Sequence, residues 1–167
     1  MTAQFRVETL GAGHARDAFR CGVDALDRYL EHQATQDVRR KVSACYVAVE
    51  IASGRLSGYY TLAASGIALT DLPASITKRL PRYPSVPVAL IGRLAVDRSF
   101  HGLKLGGALL ADAAMRSARS EVAVFALVVD AKDESAVEFY RHHGFESLGS
   151  QARRLFVPLE RLVRQAG

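Results

Sequence analysis

Residues 91–115 constrain this chain more than any other stretch. Ile91-Gly92-Arg93-Leu94-Ala95-Val96-Asp97 reads as a strand, and His101-Gly102-Leu103-Lys104-Leu105-Gly106-Gly107 as a glycine-bearing loop that opens into an apolar helix over 108–115. The start of a helix leaves about four backbone N–H groups without intrahelical partners, and the macrodipole adds roughly half a positive charge there. Glycines let that backbone come close to a ligand. Strand, glycine loop and helix in this order therefore suit a phosphate or pyrophosphate, and they narrow the chain to a binder of a nucleotide-like cofactor.

The remaining punctuation sets the architecture. Residues 4–10 read as a first strand, broken by Gly11 and Gly13. A helix over 24–36 follows, with Leu26, Tyr29, Leu30 and Ala34 as its buried stripe. Strands over 43–51 and 56–64 flank the turn Ala52-Ser53-Gly54-Arg55, the pattern of an antiparallel hairpin. Between Ser65 and Pro87 the chain reads as irregular. A short helix starts at Asp71-Leu72-Pro73 and reaches Leu80, and Pro81, Pro84 and Pro87 then argue against regular structure. The apolar run 122–129 predicts a central strand covered on both faces. Asp133 caps a helix that Gly144 ends, and residues 154–159 form the last strand. The reading is a single α/β (α+β) domain over 1–167, with helices covering a mixed, mostly antiparallel sheet.

Totals exclude several classes. No apolar run is long enough for a membrane helix, and the first residues lack a signal peptide's layout, which predicts a cytoplasmic protein. Cys21 and Cys45 have no metal or redox spacing and read as reduced core thiols. A net charge of +5 gathers at Arg39-Arg40-Lys41, at Lys78-Arg79 with Arg82, and at Arg153-Arg154. Such clusters are either solvated faces or contacts to an anionic partner, the cofactor or a nucleic acid.

The strand order, with the glycine loop after the fourth strand, resembles the GCN5-related N-acetyltransferases (GNAT family). Their pyrophosphate-loop pattern falls on His101 to Gly106, with His101 in place of the usual Gln or Arg and Lys104 in place of the first motif glycine. The segment from Asp133 through Tyr140 to Gly144-Phe145 is similar to the family's second signature, with Asp133 where Asn is common. A narrower likeness rests on Phe19-Arg20-Cys21-Gly22, Leu26-Asp27-Arg28-Tyr29-Leu30, Gly58-Tyr59-Tyr60-Thr61-Leu62, Leu80-Pro81-Arg82-Tyr83-Pro84 and Gly92-Arg93-Leu94-Ala95-Val96-Asp97. These resemble the acetyltransferase toxins of bacterial type II toxin–antitoxin pairs. The resemblance implies a GNAT fold and acetyl transfer from acetyl-CoA to the α-amine of aminoacyl-tRNA, which blocks translation. It also implies a ribbon-helix-helix antitoxin and a homodimer.

Acetyl transfer assigns roles to named residues. Leu103, Lys104, Leu105, Gly106 and Gly107 would hold the cofactor through their backbone, with His101 and Gly102 shaping the loop and Ser135 joining from the second signature. His101 is open between a plain loop histidine and a phosphate contact. Leu94, Ala95 and Val96 would align the pantetheine arm, one of their N–H groups serving as oxyanion donor. Tyr140 is open between a core aromatic packed with Phe139 and Phe145 and the general acid, and the motif match favours the acid. The strand over 87–96 and the Tyr59-Tyr60 strand offer no Asp or Glu as base, and Asp97 reads as a loop-fixing residue. An α-amine with a pKa near 7.7–8.0 needs little help to lose its proton, unlike a lysine near 10.4. For tRNA the candidates are Arg79, Arg82 and Arg93, then Arg39, Arg40 and Lys41. Arg93 could instead pair with Asp97 or Asp130. Two other readings stand beside the toxin: an acetyltransferase of a small amine or protein N-terminus, and a non-catalytic acyl-CoA- or nucleic-acid-binding protein of the same fold.

Overall fold

The computed structural model describes residues 4–149, 151 and 153–166. A seven-stranded sheet runs in the order β1-β2-β3-β4-β5-β7-β6; β1 with β2, β2 with β3, β5 with β7 and β6 with β7 pair antiparallel, and β4 with β5 in parallel. This is the mixed, mostly antiparallel sheet with flanking helices that the sequence predicts. By their packing the residues fall into two compact units, Met1–Ala63 with Gly92–Asp112 and Ala64–Ile91 with Ala113–Gly167.

In the first unit, β1 (Phe5–Thr9) pairs with β2 (Ala44–Glu50), and β2 pairs with the start of β3 (Leu56–Ala68). The hairpin closes as expected, with Gly54 at φ +74 and its N–H donating to the Glu50 carbonyl. The first helical stretch is longer than the periodicity suggests. It comprises α1 (Asp24–Arg28), a π turn (Tyr29–Gln33) and α2 (Ala34–Arg39). Phe19, Leu30, Ala34, Cys45, Val47, Val49 and Tyr59 pack there as one core. Burying such side chains is worth about 1.5–3 kcal/mol each. Cys45 is part of this core, and burial pushes its thiol up to about 12, which leaves it an unreactive hydrophobe.

Strand pleating sends β3 side chains to opposite faces. Tyr59 turns to α1 and donates to the Leu26 carbonyl at 2.7 Å. Tyr60 turns to α4 (Leu105–Ala118) and donates to Asp112 at 2.5 Å. Gly58 shares the α4 face, where a Cβ would lie 3.0 Å from the Ala95 carbonyl and 3.1 Å from Leu109 Cδ1. A bare backbone at 58 is what lets α4 sit this close.

In the second unit β5 (Ala126–Asp130) lies between the part of β4 (Ser85–Val96) that ends at Ile91 and β7 (Arg154–Pro158), with the short β6 (Glu146–Ser147) at the edge. Leu127, Val128 and Val129 are all buried, as a strand covered on both faces requires. α3 (Ala74–Thr77), α5 (Glu134–His142) and α6 (Leu159–Ala166) complete the unit.

Four expectations change here. β3 continues to Ala68, so the stretch after Ser65 begins as strand. β4 begins at Ser85 despite Pro87. The parallel ladder with β5 starts one residue later, at Val88, and the Pro87 carbonyl accepts from Phe125 N–H, so no donor is missed on that side. The run 122–129 enters the sheet only at Ala126, because Val122 is exposed and its N–H bonds to the Ser120 hydroxyl. Finally, the last strand ends at Pro158, and a helix follows where none was expected.

Candidate active site

The loop after β4 is fixed by a buried carboxylate. Asp97 accepts from Arg20 N–H at 2.9 Å and from Ser99 N–H at 2.8 Å, tying the strand end to the N-terminal segment and to the turn that follows. Burial alone would raise its pKa, but these hydrogen bonds and nearby Arg55 hold it below the usual range. Asp97 is thus the loop-fixing residue the sequence predicts. His101 follows the same logic: its Nε2 lies 2.7 Å from the Val96 carbonyl, so the ring is bound to the strand end.

Beyond His101 the backbone turns left-handed twice, at Gly102 (φ +81) and Lys104 (φ +62). For a lysine this conformation costs about 1 kcal/mol. The first bond of α4 is Ala108 N–H to the Lys104 carbonyl at 3.2 Å, so the N–H groups of Leu105, Gly106 and Gly107 precede the helical ladder. Leu105 is buried under the helix, Gly106 and Gly107 are half-buried, and Leu103 and Lys104 are exposed. A turn of alternating handedness at the start of a long helix is a nest of backbone donors, and it fits a diphosphate. Of the strand residues expected to align the pantetheine arm, Leu94 and Val96 are half-buried and Ala95 is buried in the α1–α2 core.

The second signature folds as predicted. Asp133 accepts from Ala136 N–H at 2.8 Å and caps α5, Ser135 is exposed in its first turn, and Gly144 at φ +96 ends it. Phe145 N–H returns to the Tyr140 carbonyl at 3.1 Å, which pins the last turn. Tyr140 is 7% exposed, with edge contacts to Phe139 and Phe145 at centroid distances of 5.2 and 5.4 Å. The ring packs as a core aromatic and carries its hydroxyl with it. Burial pushes the phenol up to about 12, and among the described residues nothing hydrogen-bonds its oxygen. The group is a neutral proton carrier throughout the physiological range.

The basic candidates divide between the units. Arg39, Arg40 and Lys41 are exposed at the end of α2 in the first unit, and Arg79 and Arg82 are exposed around α3 in the second. Arg93 takes neither of the carboxylate partners considered for it. It pairs with neither Asp97 nor Asp130; its guanidinium carbon sits 3.5 Å from the centroid of the Tyr29 ring. Asp130 is taken by Arg154 at 2.7 and 2.9 Å. Sequence reasoning also missed an acid beside the Tyr59-Tyr60 strand. Asp112 reaches Tyr60 from α4, and its only sequence signal is a polar residue on an otherwise apolar helix face.

A model of the acetyltransferase (GNAT) domain matches residues 41–147, a span that includes the β4 loop and α5 through Tyr140 and Gly144. The chain belongs to the GNAT acetyltransferase family. It is an acetyl-CoA-dependent N-acetyltransferase. The chain is 37% identical over 131 residues to a tRNA-acetylating toxin of Mycobacterium tuberculosis, covering 77% of this chain and 76% of that protein. Among solved structures, it is similar to AtaT complexed with acetyl-methionyl-tRNAfMet (TM-score 0.88, 31% identity, 98% and 99% of the two chains). It is also similar to AtaTR bound with acetyl-CoA (TM-score 0.82, 31% identity, 98% and 99% covered). Among the described residues no helix is long and apolar enough to cross a membrane.

Proposed function

We propose that this enzyme is a toxin that acetylates the α-amine of aminoacyl-tRNA and so blocks translation. The observation that carries this reading is the likeness, over 98% of the chain, to a toxin solved with an acetylated aminoacyl-tRNA. The chemistry of the site supports it. Acetyl-CoA supplies the acetyl group as a thioester. The N–H groups of Leu103, Lys104, Leu105, Gly106 and Gly107 hold the diphosphate, with His101 and Gly102 setting the loop and Ser135 contributing from α5. An N–H of Leu94, Ala95 or Val96 faces the developing oxyanion, a contact worth about 3 kcal/mol of barrier. Tyr140 keeps its proton below pH 10 and delivers it from Oη to the departing sulfur; water takes the proton of the amine.

Arg39, Arg40, Lys41, Arg79, Arg82 and Arg93 are the residues we assign to the RNA. On the same reading the two compact units work as one catalytic domain in the cytoplasm, as a homodimer, under the control of a ribbon-helix-helix antitoxin. CoA release with three acceptors tests the acceptor class. Charged tRNA supports turnover, whereas deacylated tRNA and small amines do not. Turnover on small amines or peptide N-termini alone would replace the acceptor, and CoA binding without turnover on any acceptor would leave a non-catalytic protein.

A further inference from the structure

The loop that carries the cradle begins and ends over one short piece of β3. Where it leaves β4, Asp97 N–H donates to the Ser57 carbonyl at 2.8 Å, and the Ala95 carbonyl lies 3.0 Å from the place a Cβ on Gly58 would take. Where it enters α4, Leu105 and Leu109 close over the same glycine, with methyls 3.4 and 3.1 Å from that place. Both leucines are buried. Two residues on, Tyr60 lies on the same face of β3 and donates to Asp112 at 2.5 Å. Its ring stacks on Tyr46, its cross-strand partner in β2, with centroids 5.2 Å apart.

Leu105, Leu109 and Asp112 follow one another at helical spacing and form one stripe of α4. The stripe is about 10 Å long and is seated at two points. At Gly58 the seat is close approach, and at Tyr60 it is a hydrogen bond to a carboxylate. A helix is stiff, so two seats fix where its first turn lies and where the N–H groups of Leu105, Gly106 and Gly107 point. Hydrogen bonds from such groups to a phosphate weaken steeply as distance and angle drift.

Gly58 and Tyr60 are buried, so they act on a bound donor only through α4. A Cβ at position 58 would press on a strand carbonyl and on two packed leucines at once. Close-packed interiors pass such strain on rather than absorb it. Here β4 is bound to β3 within the sheet, whereas α4 lies on its face and is the element that gives. Relief therefore moves α4 outward, and the cradle moves with it, away from the strand edge assigned to the pantetheine arm.

We infer that this face of β3 is the seat that sets the diphosphate cradle, with Gly58, Tyr60 and Asp112 as positioning residues for acetyl-CoA. This rests on the assignment of the donor diphosphate to the loop above. The test is the equilibrium affinity of the full-length enzyme, without acceptor, for acetyl-CoA and for S-acetyl-pantetheine, with thermal melts alongside. The second donor has the same thioester and pantetheine arm but no diphosphate. Gly58→Ala raises the Kd of acetyl-CoA about tenfold and leaves that of S-acetyl-pantetheine within about twofold. Tyr60→Phe keeps the ring and its stack, loses only the hydroxyl, and raises the Kd of acetyl-CoA about threefold with the same selectivity. Asp112→Asn keeps an oxygen that accepts from Tyr60 and stays within about twofold of wild type on both donors. If Gly58→Ala does not fold, Tyr60→Phe and Asp112→Asn decide alone. An equal loss on both donors overturns the inference and leaves the cradle assignment intact. A lowered Tm with unchanged Kd for acetyl-CoA overturns it in the same way, since the seat would then be structural only. Wild-type enzyme that binds both donors equally tightly overturns the cradle assignment and this inference together, a result visible before any variant is made.

Discussion

On the proposed function, the loop after β4 and helix α5 offer the reaction different kinds of atom. The loop offers backbone N–H groups held by two left-handed residues and a helix start, so its side chains are nearly free to vary. Helix α5 offers one hydroxyl on a side chain wedged between two aromatic rings. This difference explains why the loop tolerates His101 and Lys104 where its family pattern has other residues. Lys104 adopts the φ that glycine would, and His101 binds the strand end. At Tyr140 no other residue type supplies both the packing and the proton.

The largest expected effect lies on the side-chain half. Tyr140→Phe keeps the ring contacts and lowers kcat roughly 10²–10⁴-fold, with thermal stability and acetyl-CoA affinity close to wild type. Near-normal turnover in that variant would move the proton donor elsewhere and erase the contrast. The pH profile sharpens the same point. Burial raises the Tyr140 pKa from 10.0 to about 12, so the folded state holds this proton more tightly than the unfolded chain does. Its stabilising contribution is complete below pH 10 and is lost as pH rises from 10 towards about 12. Turnover on charged tRNA should accordingly show no alkaline fall from this group below pH 10. A fall near pH 8–9 that Tyr140→Phe abolishes would contradict the assignment.

Smaller effects probe the scaffold of each half. Asp133→Ala removes the α5 cap and costs about 1 kcal/mol of stability, read by denaturant titration, with kcat retained. Lys104→Gly relieves left-handed strain but adds unfolded-state entropy, so its stability changes by less than about 1 kcal/mol. Its acetyl-CoA KM rises about two- to fivefold through loss of an exposed charge near the phosphates. A tighter KM would mean that the lysine hinders the cradle. Leu103→Ala, which leaves every backbone donor in place, should change KM less than about twofold.

What could be read from the sequence follows the range of the forces involved. The hairpin, the glycine loop, the Asp133 cap and the Gly144 stop are set by residues a few positions apart, and each forms where local chemistry places it. The start of β4 was hidden because a proline signals irregular structure locally, while pairing with β5 beyond Pro87 decides the outcome. α6 is one short amphipathic stretch against the end of a strand, too brief for its period to separate from the strand before it. In the candidate site, the loop and the helix that carries Tyr140 were legible as local structure because backbone and motif set them. The partners of Arg93 and of Tyr60 were not, since Tyr29 and Asp112 come from distant helices and only the packed faces of β3 and β4 bring them together.

On the proposed function, a backbone cradle and a single phenol acetylate the aminoacyl group. Mass spectrometry of nuclease-digested tRNA from cells induced for the wild-type enzyme or Tyr140→Phe tests it most directly. Acetyl-aminoacyl-adenosine is expected in the wild-type sample, with little or none in the Tyr140→Phe sample. Unmodified aminoacyl-adenosine in both samples, with acetyl groups found instead on proteins or small amines, would contradict it.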